Sequence, residues 1–496
     1  MKKARSSKRS AGLAKITSRE ARLVEKVKAP RADASAWEPL ETIPLHAAGI
    51  DVGGSENFVA VPAPAVKPGE PAVRSFGVFT AEQDALVEWL KACQITTVAM
   101  EATGIYWMAL YDKLERQGLE VVLVEPRSVK QVPGRKSDVL DCQWLQKLHT
   151  YGLLSGSFRP DEAIRRLRTL TRHRLELVQD GARCLQHVEK ALVQMNLQLH
   201  LVVSDIQGDT GMRILQAIIN GQRDPKELVK LRDPRCQKST VAQMEAGLHG
   251  HYREELLFVV GQALENWQHY QKQLAACDQQ IDVALAALPT AKAATLPTPP
   301  KPVPPAPETK QQKKLAHKGN NDVNIDPAKL KAQLQRVCGA DLMNVCGLGL
   351  SSVLMLIAEI GLDLNRWRSA KAFCSWLGLC PGSKISGGKV LRRRTRKVVN
   401  RASVILRLAA LAVGKTDTWL GRFYRRKRAH LGAPKAITAT ARKLACVVYH
   451  LLKYQEDYVP LDIAVYELKA AEARQRRLRR EAQEMGFELV ELKQVA

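Results

Sequence analysis

The stretch Leu45-His46-Ala47-Ala48-Gly49-Ile50-Asp51-Val52-Gly53-Gly54-Ser55-Glu56-Asn57-Phe58-Val59-Ala60-Val61-Pro62 decides how the first half of this chain folds. It reads as an apolar strand, a tight glycine turn and a second strand whose side chains partly alternate. The first strand carries one acid, Asp51. A carboxylate among apolar neighbours is costly unless it binds a cation or accepts hydrogen bonds. Capping the turn beside the two glycines is its alternative role.

Outward from this hairpin, strand and helix patterns alternate over residues 45–158. A strand is expected near Ala72–Phe79, then a helix over Ala81–Ala92 with Leu86, Trp89 and Leu90 on its apolar face. The strand Thr97–Glu101 follows, then a helix over Tyr106–Gln117 that Gly118 ends. Glu120–Val124 reads as a central strand buried on both faces. A basic connector, Glu125–Lys136, leads to a helix from about Ser137. The fold class is α/β, with a mixed sheet. Ahead of it, residues 1–44 read as a disordered basic leader; no apolar segment follows the first cations, so no secretion signal is expected.

At 496 residues the chain should hold two or three domains, and with 45% apolar residues most of it should fold. The formal net charge is +26, which points to a polyanionic partner, most commonly nucleic acid. No apolar run is long enough to span a bilayer. The ten cysteines form no CxxC pair and no Cys/His ligand spacing. Reduced, mostly buried thiols in a cytosol are therefore expected, with neither a disulfide framework nor a zinc site.

Residues 159–288 carry two long amphipathic stretches, Ile164–Leu201 and Arg253–Leu288, which read as a coiled-coil-like stalk or dimerisation element with solvated charged faces. Residues 289–327 form a Pro- and Lys-rich linker with polyproline character. An all-helical domain is expected over 328–458, and a charged helical tail over 459–496.

Four acids of the first domain form a suggestive set. Asp51 lies in one strand, Glu101 ends another, and Asp138 and Asp141 are three apart, so one helix face presents both. Carboxylates gathered in this way repel one another unless cations neutralise them. Mg²⁺ or Mn²⁺ suits an all-oxygen donor set, and a pair of such ions can activate a nucleophile and stabilise a leaving oxygen.

The last domain carries a second set. Leu342–Leu354 is similar to a helix-hairpin-helix, in which Gly347 and Gly349 would offer backbone N–H groups to a phosphate. Next, Leu377–Lys389 reads as a glycine-rich loop flowing into a basic helix. From it to residue 401 run Lys384, Lys389, Arg392, Arg393, Arg394, Arg396, Lys397 and Arg401, with no acid among them. That surface binds phosphate by charge alone. A serine inside it is either a hydrogen-bond donor or a nucleophile, with arginines to stabilise pentacovalent charge. A third cluster, Arg422–Arg428, interleaves aromatics with cations, including Arg425 and Arg426, and suits stacking on nucleic acid.

The Asp51 hairpin, Met100-Glu101-Ala102-Thr103-Gly104-Ile105-Tyr106-Trp107 and Lys136-Ser137-Asp138-Val139-Leu140-Asp141-Cys142-Gln143-Trp144-Leu145 resemble the motifs of the DEDD insertion-sequence transposases. These are the IS one-ten family, related to the Piv-type DNA invertases. The resemblance covers roughly 45–200 and 335–455. One departure is Gly53-Gly54, where many relatives have Ser-Lys.

The resemblance implies a RuvC-like domain of the RNase H class in which Asp51, Glu101, Asp138 and Asp141 are the metal-binding acids. It further implies a C-terminal nucleophilic serine, which Ser386 matches best and Ser383 second. Donor and target DNA and an element-encoded bridge RNA are the implied partners; the paired long helices and the flexible linker suggest at least a homodimer, or a tetramer. A chain without an evident base-reading module is consistent with leaving sequence choice to base pairing.

The runner-up is a RuvC-like nuclease that cuts branched DNA with metal-activated water and no serine step. Asp51-Val52-Gly53-Gly54-Ser55 is also similar to the first phosphate motif of sugar-kinase and actin-like ATPases, but no second phosphate loop accompanies it. A non-enzymatic packaging protein leaves the four placed acids without a purpose.

Overall fold

The computed structural model describes residues 46–126, 138–291, 322–387, 389–395 and 400–490, without the side chains of 384, 385, 390 and 392–394. The leader, most of the basic connector and of the Pro-rich linker, Arg396 and Lys397 lie outside the described residues. Two compact units divide at Arg159/Pro160.

The first unit is a mixed α/β sheet domain. Its elements are β1 (Ala47–Val52), β2 (Glu56–Ala60), β3 (Val73–Gly77), α1 (Thr80–Ala92), β4 (Thr97–Glu101), α2 (Trp107–Arg116), β5 (Glu120–Val124) and α3 (Asp138–Thr150). The sheet order is β3-β2-β1-β4-β5. The first three strands are antiparallel neighbours, while β1, β4 and β5 run parallel. Alternation along β1 sends Ala48, Ile50 and Val52 into a core shared with Leu86 and Leu90 of α1 and Leu110 and Leu114 of α2. The other face is covered by α3, where Leu145 packs with Ala99 and Val124.

One strand expectation is corrected. β5 is an edge strand, not a central one, and its first three residues are only partly covered or exposed. An apolar run records two covered faces and carries no information about lateral neighbours. β1 is the central strand of the sheet.

The second unit begins with two 33-residue helices, α4 (Glu162–Gln194) and, after four short helices, α9 (Glu254–Ala286). The short ones are α5 (Leu199–Val202), α6 (Asp209–Ile219), α7 (Pro225–Val229) and α8 (Val241–Leu248), whose Ile214, Ile218 and Met244 share a core with Leu192 of α4 and Leu264 of α9. α4 and α9 run antiparallel: Cys277 lies beside Leu170, Asp278 pairs with Arg174, and Gly181 faces Trp267 and Tyr270.

The charges on α4 are not all solvated, contrary to the sequence expectation. Arg174 Nε donates to the buried Asp278 at 2.6 Å, and Asp278 also accepts from the Asn324 amide at 2.7 Å. Arg172 makes a bidentate pair with Glu359 at 2.8 and 2.7 Å, while Arg168 donates to the Ala358 and Glu359 carbonyls. Burial pulls the Arg168 guanidinium down to about 10, partly offset by Glu359. Periodicity alone cannot tell such a buried pair from a surface one.

The remaining elements are α10 (Pro327–Cys338), α11 (Leu350–Ile360), α12 (Ala370–Trp376), β6 (Pro381–Ser386), β7 (Lys389–Thr395), α13 (Arg401–Val413), α14 (Trp419–Leu431), α15 (Ala433–Tyr454) and α16 (Ile463–Met485). This region is therefore not all-helical, and the glycine-rich loop is not followed directly by a basic helix. β6 and β7 form an antiparallel hairpin, and the helix starts only at Arg401, capped by Asn400. Gly387-Gly388 between two short runs is a two-residue hairpin signal, and Gly387 takes φ +54° at the turn. Stacked cations also disfavour a helix through like-charge contacts at i, i+4.

Candidate active site

The site is built on the α3 face of the sheet. Ile50 pairs with Met100 in the parallel register, so the next residues, Asp51 and Glu101, are lateral neighbours at the carboxyl ends of β1 and β4. Adjacent strands are about 4.8 Å apart, and residues in register point to the same face. Crevices at the carboxyl ends of parallel strands are where α/β sheets bind ligands.

Gly49 sets how closely α3 approaches. A Cβ at Gly49 would stand 2.3 Å from the Gln146 amide nitrogen and 2.4 Å from the Cys142 carbonyl oxygen, both backbone atoms of α3. At the far end of the helix, buried His149 hydrogen-bonds Thr97 at 2.9 Å, on the first residue of β4. From His149 back to Asp138 the helix rises about 16 Å, and from Thr97 to Glu101 the strand advances about 13 Å. Helix and strands thus run in opposite senses, bringing the first turn of α3 to the level of Asp51 and Glu101.

The electrostatics agree with that placement. The Asp51 carboxyl is pushed up to about 6, first by burial and then by the charges of Glu101, Asp138 and Asp141. Glu101 is 8% exposed and accepts a hydrogen bond from the Thr103 hydroxyl at 3.2 Å. Cys142 behind them is driven up to about 12 by burial, with Asp51 and Asp141 adding to the rise. Among the described residues, no three histidine, cysteine or acidic side chains stand close enough to hold a metal ion between them. The four acids share a negative field without a finished coordination sphere. The donor set still fits a hard divalent cation, being all carboxylate oxygen with charge in excess.

In the second unit, Ser386 lies exposed at the tip of the β6–β7 hairpin, opposite Lys389 across the glycine turn. Ser383 is three residues back, opposite Arg393, and the register sets Lys384 opposite Arg392 and Gly382 opposite Arg394. Arg401 is exposed at the start of α13. Gly347 has φ +90°, and a Cβ there would meet Val413 Cγ2 at 2.6 Å and the Ala409 carbonyl at 2.7 Å. Its turn is fitted against α13, and Gly349 caps the start of α11. Arg425 donates to the Gly414 and Thr416 carbonyls and pairs with Asp417, while Arg426 lies over the Tyr466 ring at 5.0 Å.

Residues 48–197 match the family model for DEDD-type IS110 transposases, and residues 339–425 match that of the transposase IS116/IS110/IS902 family. The chain belongs to the IS110 family of transposases. No curated protein matches it. The transposase is thus an enzyme of DNA recombination whose substrate is DNA. Among its described residues no helix is long and apolar enough to cross a membrane.

Sequence reasoning overlooked Gly49, although a glycine inside an apolar strand is the usual sign of close backbone approach. Gly49→Ala in the transposase is expected to push α3 off β1 and move Asp138 and Asp141 away from Asp51. DNA cleavage should fall by about 10²-fold, the scale of a displacement near 1 Å. Overpacking should also cost about 1–3 kcal/mol of stability. Cleavage assays beside thermal melting check this. Wild-type cleavage by a folded alanine variant would show that the close approach does not position the acids.

Proposed function

We propose that the transposase cuts and rejoins DNA through a covalent phosphoserine intermediate on Ser386, assisted by Mg²⁺ or Mn²⁺ at Asp51, Glu101, Asp138 and Asp141. The observation that carries this reading is the gathering of the four acids: burial first, and then the charges of Glu101, Asp138 and Asp141, raise the Asp51 carboxyl to about 6. An exposed hairpin-tip serine supports the second half. The Ser386 oxygen would attack a DNA phosphorus, and the departing sugar oxygen would take up a proton. A hydroxyl on another strand then reverses the step, so joining needs no ATP. When bound, the divalent cation supplies nucleophile activation and neutralises the leaving oxygen.

The hairpin cations would grip the phosphates around the break. The backbone pairing gathers Lys384, Lys389, Arg392, Arg393 and Arg394 onto one two-stranded hairpin, a density of positive residues that suits an anionic partner. Lys389, Arg393, Arg394, Arg396, Lys397, Arg401, Arg425 and Arg426, with the Gly347 and Gly349 backbone, complete the proposed nucleic-acid surface. Strand exchange requires at least two ends held together, so a homodimer or tetramer is proposed, with α4 and α9 as contact elements.

Sequence choice is assigned to a bridge RNA. The test is to purify the full chain from cells carrying the element, sequence the nucleic acid that accompanies it, and supply donor and target DNA with Mg²⁺. One defined RNA and joined strands are expected. A random RNA mixture would remove the guide, and nicks without joining would hand the reaction to metal-activated water.

A further inference from the structure

The last helix carries a seam that the reading above does not use. The first turns of α16 are anchored: Tyr466 lies against Trp419 with ring centroids 6.0 Å apart and beneath Arg426, and Glu467 pairs with Arg422. From Ala471 to Arg480 every residue is exposed. Along this projecting part Leu468, Ala471, Gln475, Leu478, Ala482 and Met485 recur at alternating spacings of three and four. That is the heptad seam of a two-helix coiled coil. Its large members remain open to solvent: Leu468 is 62% exposed, Leu478 42% and Met485 70%.

We propose that α16 pairs with α16 of a second copy of this chain, antiparallel, with Gln475 facing Leu478 of the partner helix. The flanking charges select this arrangement. Glu472 and Arg479 line one side of the seam, and Glu467, Arg474 and Glu481 line the other. In a parallel pair, position 467 of one helix meets 472 of the other, Glu on Glu, and 474 meets 479, Arg on Arg. Antiparallel with 475 opposite 478, Arg474 meets Glu481 and Glu472 meets Arg479, each contact occurring twice by symmetry. A slip of one heptad either way returns like charges, Arg474 on Arg474 with Glu472 on Glu472, or Glu481 on Glu481 with Arg479 on Arg479. The chosen register stacks Leu468 on Met485, while Ala482 is already covered within its own chain. Gly486 ends the helix in the left-handed conformation at φ +85°, just beyond the last seam residue.

The seam also explains the spacing of the cations. A helix shaped only for nucleic acid would carry unbroken positive charge, whereas Glu472, Glu481 and Glu484 interrupt this one and pair internally with Arg476, Arg477 and Arg480. Its cross-helix pairing does not rest on the catalytic proposal and would hold two chains together through their tails.

The test uses the full chain carrying Leu468→Cys and Met485→Cys, a short bis-maleimide cross-linker, and mass spectrometry of the linked peptides. Within one helix the two positions are about 25 Å apart, so a 468–485 link reports two chains. That link is the expected result. Adding Arg474→Glu should lower its yield about tenfold at a fixed protein concentration, and adding Glu481→Arg as well should restore it. Links of 468 to 468, or none, overturn the pairing. So does a 468–485 yield indifferent to Arg474→Glu, including the case where that substitution instead weakens RNA or DNA binding.

Discussion

Ser386→Ala is expected to bind DNA as the parent does but to join none, with strand transfer reduced by at least about 10³-fold. The alanine removes the attacking oxygen at an exposed turn residue, where no packing is lost. A hydroxyl is a weak nucleophile without activation, so the parent should form the adduct only with Mg²⁺ or Mn²⁺ present. Denaturing the reaction midway and looking for DNA attached to protein provides the measurement. Ser383→Ala should retain adduct formation, since its position opposite Arg393 lies back along the strand. Adduct that survives Ser386→Ala would move the role to Ser383 or elsewhere, and cutting without any adduct would favour hydrolysis.

The second large effect belongs to Asp51→Asn, which should abolish cleavage and at the same time make the protein more stable at neutral pH. The folded state raises the Asp51 carboxyl from its ordinary 3.8 to about 6. Between those values the folded chain holds more protons than the unfolded chain, so stability falls as pH rises from about 4 through 6. Above pH 6 the penalty is fully present. Because Asp51 is partly exposed, solvent screening reduces it to about 1–2 kcal/mol. The asparagine should therefore raise Tm by a few degrees at pH 7.5 and hardly at all at pH 4. Mg²⁺ should raise the Tm of the parent at pH 7.5 more than that of the variant. Equal melting of the two proteins at pH 7.5 would mean that the four acids do not burden the fold.

The amino-acid sequence by itself determined the strands Thr97–Glu101 and Glu120–Val124, the long helices α4 and α9, and the charged tail helix. Each is a local pattern of apolar spacing and end signals, and local patterns survive without knowledge of the partner. Asp51 and Glu101 stood out as candidates because a carboxylate in an apolar strand is conspicuous wherever the strand lies, and Asp138 and Asp141 because a spacing of three puts both on one helix face. Tertiary structure alone decided which strand is central, since hydrogen-bonded neighbours come from remote parts of the chain. It decided that Gly49 is the seat of α3, because only the crossing of helix on strand removes room for a Cβ. It turned the basic loop into a hairpin through pairing between Pro381–Ser386 and Lys389–Thr395. It also buried Glu359 between Arg168 and Arg172, a contact across nearly two hundred residues that no helical period can foresee.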